Sequence, residues 1–268
     1  MYLIIKSIII AMVEGIAEFL PISSTGHMIV VGDIINFNGE FAKLFMIIIQ
    51  LGAILAVVYK YRDRISESLK NMSPSEWGFK FWITIFIAFL PFSMLGSIFG
   101  EAIELYLFNT IDVAMALITG GVLLIIIENK CKDTYAIKDI KDVNFSQAMK
   151  IGIFQCLALV PGISRSAATI MGAMIIGLSP VVAAEFSFFL AIPTMITASA
   201  YSIVRTELVL TNVEIISLFI GFLIAFITAL LVINKFISYL QKKPLKFFGV
   251  YRIIFGIFSL ILAFVNIS

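Results

Sequence analysis

Charge is scarce in this sequence. Charged residues fill 13% of 268 positions, about half of the roughly 25% usual for a soluble domain, and one histidine, His27, serves the whole chain. The net charge of +2 and the scatter of the bases among loops exclude a basic stripe, and with it nucleic acid as a partner. Cysteine is nearly absent. Cys131 falls in a polar stretch and Cys156 in an apolar one, with no second pair and no metal-ligand spacing, so neither a disulfide framework nor a zinc site is expected. A cleavable leader is not expected either. Lys6 precedes a short apolar run, but Glu14 and Glu18 interrupt it and no small-residue cleavage site comes before them.

Apolar residues are what the chain has in excess: 61% of positions and a mean hydropathy of +1.07. No soluble core absorbs that much apolar surface. Apolar runs of the roughly 20 residues needed to cross a bilayer predict full spans near 42–59, 80–100, 112–128, 182–203, 214–234 and 250–267, the cleanest being the uncharged runs 81–100 and 215–234. Two further apolar stretches are broken. Residues 1–37 contain Pro21 and the polar run Ser23, Ser24, Thr25, Gly26, His27, and residues 147–179 contain Pro161, Gly162, Ser164, Arg165 and Ser166. Each reads as two short helices joined by a polar loop. Such a loop is tolerated at membrane depth only when buried in protein or lining a wet cavity, so both stretches are expected to be re-entrant hairpins.

An offset of 141 residues relates the two broken stretches, setting Glu14 against Gln155, Ala17 against Ala158, Ile22 against Ile163 and Ser23 against Ser164. The order of one broken hairpin and three spans repeats, and because three is odd the halves should be inverted. The expected architecture is an all-α polytopic membrane protein of six transmembrane helices and two re-entrant hairpins. It forms a single membrane domain, with repeats over about 1–130 and 147–268 and a cytoplasmic loop over about 130–147. Bases in loops face the cytoplasm. Lys60, Arg62, Arg64, Lys70 and Lys80 mark residues 60–80, and Lys235, Lys242, Lys243, Lys246 and Arg252 mark 235–252, as cytoplasmic. Glu101, Glu104 and Asp112, without a base, and the mixed 204–214 segment belong outside. Threading the chain through these assignments puts both termini outside and lets the hairpin tips meet within the membrane. Carriers share that plan, so topology alone does not separate enzyme from transporter.

The chemistry has to come from the polar residues of the hairpins, since an ionisable group inside a membrane segment is costly and functional by default. Glu14 and Glu18, four apart, stack on one helix face. Two adjacent carboxylates need a cation or a shared proton between them, and oxygen ligands of this kind suit Mg²⁺ or Ca²⁺. The alternative is an interfacial helix with both acids in water, which the apolar flanks disfavour. His27 follows three hydroxyls, a setting for acid or base work, and Ser24 with His27 is a candidate nucleophile and base pair. One or two of Ser23, Ser24 and Thr25 are expected simply to cap a helix. Arg165, the only charge between Lys150 and Glu185, suits phosphate oxygens, with hydroxyls and amides at the following helix start adding donors. Without a ligand it would pair with Glu14 or Glu18. Gln50 and Glu185 are expected to support the site or to make interhelical hydrogen bonds.

Glu14-Gly-Ile-Ala-Glu18-Phe-Leu-Pro21-Ile-Ser23-Ser24-Thr25-Gly26-His27 and Pro161-Gly162-Ile163-Ser164-Arg165-Ser166-Ala-Ala-Thr169 closely resemble the two signature segments of the undecaprenyl-diphosphate phosphatase, or bacitracin-resistance, family. The resemblance spans essentially the whole chain and includes Gln50-Leu51-Gly52. It implies hydrolysis of undecaprenyl diphosphate to undecaprenyl phosphate and phosphate, recycling a lipid carrier for cell-wall synthesis, in a bacterial plasma membrane, with a cleft open to the outer face and a divalent cation required. By residue match it gives Glu14 and Glu18 the metal and acid roles, Ser24 or His27 the nucleophile and proton-transfer roles, and Arg165 the diphosphate clamp. The resemblance further implies that Ser23, Thr25, Gly26, Gly162, Ser164, Ser166 and Thr169 would line the substrate. Water activated by a carboxylate or histidine stays open as the nucleophile, and so does pairing into a homodimer. A lipid-phosphate or anion carrier and a non-catalytic receptor for peptidoglycan precursors are the alternatives from other classes.

Overall fold

The computed structural model describes residues 2–107, 109–132, 134–204 and 209–267. Eleven α-helices follow one another among the described residues: α1 Tyr2–Ala17, α2 Ser24–Ile35, α3 Glu40–Lys60, α4 Arg62–Lys70, α5 Trp77–Leu107, α6 Thr110–Cys131, α7 Phe145–Gln155, α8 Arg165–Ile175, α9 Pro180–Val204, α10 Asn212–Leu240 and α11 Lys246–Ile267. Six of them, α3, α5, α6, α9, α10 and α11, are long and apolar enough to cross a membrane, and they contain the six spans expected from hydropathy. Helix starts follow capping chemistry. Asn144 with Gln147 opens α7 and Thr211 with Glu214 opens α10, each as a reciprocal capping box that satisfies otherwise orphaned amides.

Burial sorts the helices. The hydropathic windows of α9 and α3 are 61% and 50% buried, against 17% for α5 and 22% for α10, so α3 and α9 pack together at the centre. The outer helices turn Phe86, Ile98, Phe219, Ile227, Ile254 and Phe258 outward, an apolar surface far beyond what a soluble monomer exposes. Close helix approach relies on small residues, as is usual where lipid removes the hydrophobic drive. A Cβ on Gly52 would overlap the Phe222 carbonyl oxygen of α10, and one on Gly152 the Ala88 carbonyl oxygen of α5.

Both broken stretches appear as helix, break, helix. Lys6 Nζ donates to Asn36 O at 2.7 Å, so α2 returns toward the start of α1. In the second, Ala136 N and Ile137 N donate to Gly177 O at 2.9 and 3.0 Å, so the segment before α7 touches the end of α8. The breaks share an unusual backbone. Ser23 and Ser164 adopt φ of 72° and 75°, rarely tolerated outside glycine, and each caps the next helix, Ser23 Oγ accepting from Gly26 N and Ser164 Oγ from Ala167 N.

Three expectations need correction. Residues 60–80 are not simply a loop, because Arg62–Lys70 forms the polar helix α4, tied down where Arg64 Nη1 meets Glu185 Oε2 at 2.9 Å. The span expected to stop at 234 continues to Leu240, where Ile233, Phe236 and Leu240 still find a buried face. Arg252, read above as a loop base, lies on α11 and is fully buried. Glu101 and Glu104, used above for topology, have side chains outside those described, as does the 205–208 part of the mixed segment.

Glu128, which no sequence motif marks, reaches from α6 to accept from Leu245 N and Lys246 N at the start of α11. A carboxylate there satisfies orphan amides and opposes the helix dipole. Glu128→Ala should therefore lower stability by about 1–2 kcal/mol, read as a lower thermal midpoint in detergent, with turnover unchanged in the surviving fold.

Candidate active site

The two breaks carry the polar residues toward each other. Glu18 N donates to Glu14 O at 2.9 Å, so one last helical turn presents both acids. Arg165, first residue of α8, comes from the other break, and its Nη2 lies 2.9 Å from Glu18 Oε1 with the two side chains only 11% and 9% exposed. Ser24, first residue of α2, donates its hydroxyl hydrogen to the other Glu18 oxygen. One carboxylate thus holds a guanidinium from one break and a hydroxyl from the next helix.

The remaining donors of Arg165 are spoken for in part. Nη1 reaches Ser187 O at 2.9 Å and Ser187 Oγ at 3.3 Å on α9, and Thr169 Oγ1 shares a 2.6 Å bond with Ser187 Oγ. Its carbon Cζ lies 5.9 Å from the centre of the Phe19 ring, a cation–π contact that fixes the fork. Nε is buried without a partner. Ser166 Oγ donates to Leu20 O at 2.8 Å and meets Ser164 Oγ at 3.0 Å, tying the breaks directly.

Glu14 is fully buried and neither of its carboxylate oxygens has a hydrogen-bond partner, although it lies within electrostatic reach of Glu18, Arg165 and Ser24. Such a group demands compensation. Among the described residues no cluster of three or more His, Cys, Asp or Glu is spaced to hold a metal, so the protein offers two carboxylates. That is the pattern by which Mg²⁺ is usually held, with substrate phosphates completing the set, and the residues present fit the cation.

His27 departs from expectation. Its Nδ1 lies 2.8 Å from Ser23 O and its Nε2 2.7 Å from Tyr251 Oη, with the ring stacked on Phe255 at 3.9 Å. A carbonyl can only accept, so Nδ1 carries the proton, and in the neutral ring Nε2 accepts from the Tyr251 hydroxyl. The expected Ser24–His27 pair is not formed, because Ser24 is committed to Glu18. Ser23 serves as the cap, Thr25 and Gly26 lie in the first turn of α2, and Gly162 takes a φ of 95° against α6, where a Cβ would come within 2.5 Å of Val113 O. Gln50 is half-buried on α3. Glu185 joins Arg64 and Tyr61, outside the cluster. A cavity of about 600 Å³ between α2, α6 and α11, lined by Asp33, Asn109 and Thr110, contains none of the candidate residues.

Sequence reasoning missed Ser187, Tyr251 and Arg252. Arg252 alone carried a signal: a charge flanked by Val250, Tyr251, Ile253 and Ile254 is an intramembrane charge by the same criterion that singled out Arg165.

The family model described as bacitracin resistance protein BacA matches residues 7–258. A protein of Clostridium tetani named undecaprenyl-diphosphatase is 53% identical over 268 residues, covering 100% of this chain and 99% of its own. Another of that name, from Caldanaerobacter subterraneus, is 50% identical over 98% of this chain and 97% of its own. One from Clostridium perfringens is 45% identical over the same shares.

Proposed function

Because the chain belongs to the bacitracin resistance protein BacA family, we propose that it is an integral membrane undecaprenyl-diphosphatase. It hydrolyses undecaprenyl diphosphate to undecaprenyl phosphate and inorganic phosphate, which returns the lipid carrier to cell-wall synthesis and gives resistance to bacitracin. The observation that carries this reading is the Glu18 carboxylate, which holds Arg165 on one oxygen and the Ser24 hydroxyl on the other. A phosphate-binding cation and a hydroxyl with its proton acceptor in place suit bond cleavage, where a carrier needs only the first.

Arg165 binds the terminal phosphate through Nε and the nitrogen it now shares with Glu18, and so frees that carboxylate. Ser24 Oγ then attacks the terminal phosphorus, its proton passes to Glu18, and the bond from phosphorus to the bridging oxygen breaks to release undecaprenyl phosphate. Water hydrolyses the phosphoserine, and the protons return through Glu18. Positioning and charge stabilisation supply most of the acceleration in phosphoryl transfer. Glu14 and Glu18 hold a divalent cation, Mg²⁺ or Ca²⁺, which when bound neutralises phosphate oxygens. His27, fixed between Ser23 O and Tyr251, orients the start of α2 rather than taking the Ser24 proton. Ser164, Ser166 and Thr169 set the backbone around Arg165.

The chain is read as two inverted repeats, each a re-entrant hairpin followed by three spans, in a bacterial plasma membrane with the site open to the outer face. Supporting this are the matched backbones of Ser23 and Ser164, the return of each hairpin to its own start, and the exchange by which α1 packs on α10 while α7 packs on α5. Lys141 Nζ lies 4.1 Å from the centre of the Trp77 ring and Glu128 joins the α10–α11 turn, so the base-bearing segments gather at one end, the cytoplasmic one by the positive-inside rule.

Purified protein in detergent with Mg²⁺ or Ca²⁺ should release phosphate from a long-chain prenyl diphosphate. No cleavage there sinks the phosphatase reading. Substrate radiolabelled on the terminal phosphate should leave acid-stable label on the wild type and none on Ser24→Ala, whose turnover falls to background. Full turnover in that variant without label on the wild type would make water the nucleophile, and label retained in the variant would place the phosphoenzyme on another side chain.

A further inference from the structure

Arg252 is the largest fully buried side chain among the described residues. Among those residues no carboxylate pairs with it. Its partners are backbone carbonyls: Nε donates to Leu117 O at 3.3 Å, Nη1 to Pro21 O at 3.3 Å, and Nη2 to Ala116 O at 3.4 Å and Gly162 O at 3.0 Å. Two of these belong to α6. The other two are the carbonyls of the two breaks, which lie outside helical ladders and need donors at membrane depth.

Burying a guanidinium without a counter-ion is expensive, and a simple donor would not need a charge. What a guanidinium has that other side chains lack is a rigid planar fork of five N–H groups, able to grip carbonyls arriving from different directions. Space is kept for it. A Cβ on Gly120 would overlap Nη2, and Gly162 can approach α6 only because it has none. Pro21 lies three residues from both Glu18 and Ser24, and Gly162 three from Arg165.

We infer that Arg252 is a positioning residue that locks the two breaks in register through Pro21 O and Gly162 O. It thereby sets the separation of Glu18 and Ser24 from Arg165. The catalytic consequence rests on the diphosphatase reading, whereas the lock itself does not. Ser166, bonded to Leu20 O, and the Glu18–Arg165 ion pair join the same pair of segments, and of these ties Arg252 alone grips a break carbonyl on each side.

The test compares wild type with Arg252→Gln and Arg252→Lys, purified in detergent, by kcat and KM on a long-chain prenyl diphosphate and by amide hydrogen exchange. A misplacement of about 1 Å between reacting groups costs on the order of 10²-fold. Arg252→Gln should lose about that factor in kcat with KM within about threefold, and residues 19–24 and 160–165 should gain exchange together. Arg252→Lys keeps the charge but cannot grip both breaks, and should recover only part of the loss. Wild-type kcat with unchanged exchange overturns the inference, and so does exchange rising in one break alone or throughout the protein. If Arg252→Gln does not fold, Gly120→Ala displaces the guanidinium while retaining it and is read the same way. Should wild type itself fail to cleave, the diphosphatase reading falls while the exchange data still decide the lock.

Discussion

Arg165→Ala should abolish phosphate release, lowering kcat/KM by roughly 10³-fold or more, the range seen when an arginine that stabilises a transferring phosphoryl group is removed. The size follows from the three things Arg165 does at once. It neutralises Glu18 when substrate is absent, it offers a free Nε to the phosphate, and it braces itself on Ser187 of α9. Arg165→Lys should recover little, because an ammonium is a point charge and cannot brace on Ser187 while presenting two parallel donors to the phosphate. Phosphate release in detergent with Mg²⁺ present reads the loss. Retention of wild-type rate in either variant would remove Arg165 from the site.

Glu18→Ala has the second large effect, and it acts on stability as well as on turnover. Loss of the proton acceptor for Ser24 should reduce kcat by about 10²–10⁴-fold. It also leaves the Arg165 charge buried without its partner, and breaking a buried pair from one side costs roughly 3–5 kcal/mol. The double variant Glu18→Ala with Arg165→Ala removes both charges. It should regain much of that stability, seen as a thermal midpoint above that of Glu18→Ala, while turnover stays at the floor of the worse single variant, since residues acting as one unit are not additive. A double variant less stable than either single would mean that the pair contributes through something other than charge compensation.

The fold was largely legible because membrane spans are written in hydropathy. All six expected spans fall within observed helices, and the two breaks lie where Pro21 and Pro161 interrupt apolar runs. The lapses share one cause. Helix α4, the extension of α10 to Leu240 and the burial of Arg252 all sit where a charge looked like a loop in one dimension, although helices carry charge wherever a partner awaits it. Glu18 and Arg165 were legible as charges out of place. Their pairing was foreseen only as one of two options, Glu14 or Glu18, and the structure chose Glu18. The Ser24 and His27 pair shows the limit most clearly. Three positions apart, they lie close on one helix face, yet Ser23 O and Tyr251 claim both ring nitrogens of His27 and Glu18 claims Ser24.

By itself the sequence determined membrane residence, the number of spans, the positions of the breaks and the polar residues held in them. Apolar run length and the cost of burying charge act residue by residue and leave a local record. Tertiary structure alone decided which charge meets which, that Ser24 answers to Glu18, that Glu14 is left without a donor, and that Arg252 joins the breaks from a helix some 90 residues beyond Gly162. Those are matters of distance between segments far apart in the chain. No local pattern encodes them, because each carbonyl or carboxylate has several chemically equal suitors until packing brings one within 3 Å.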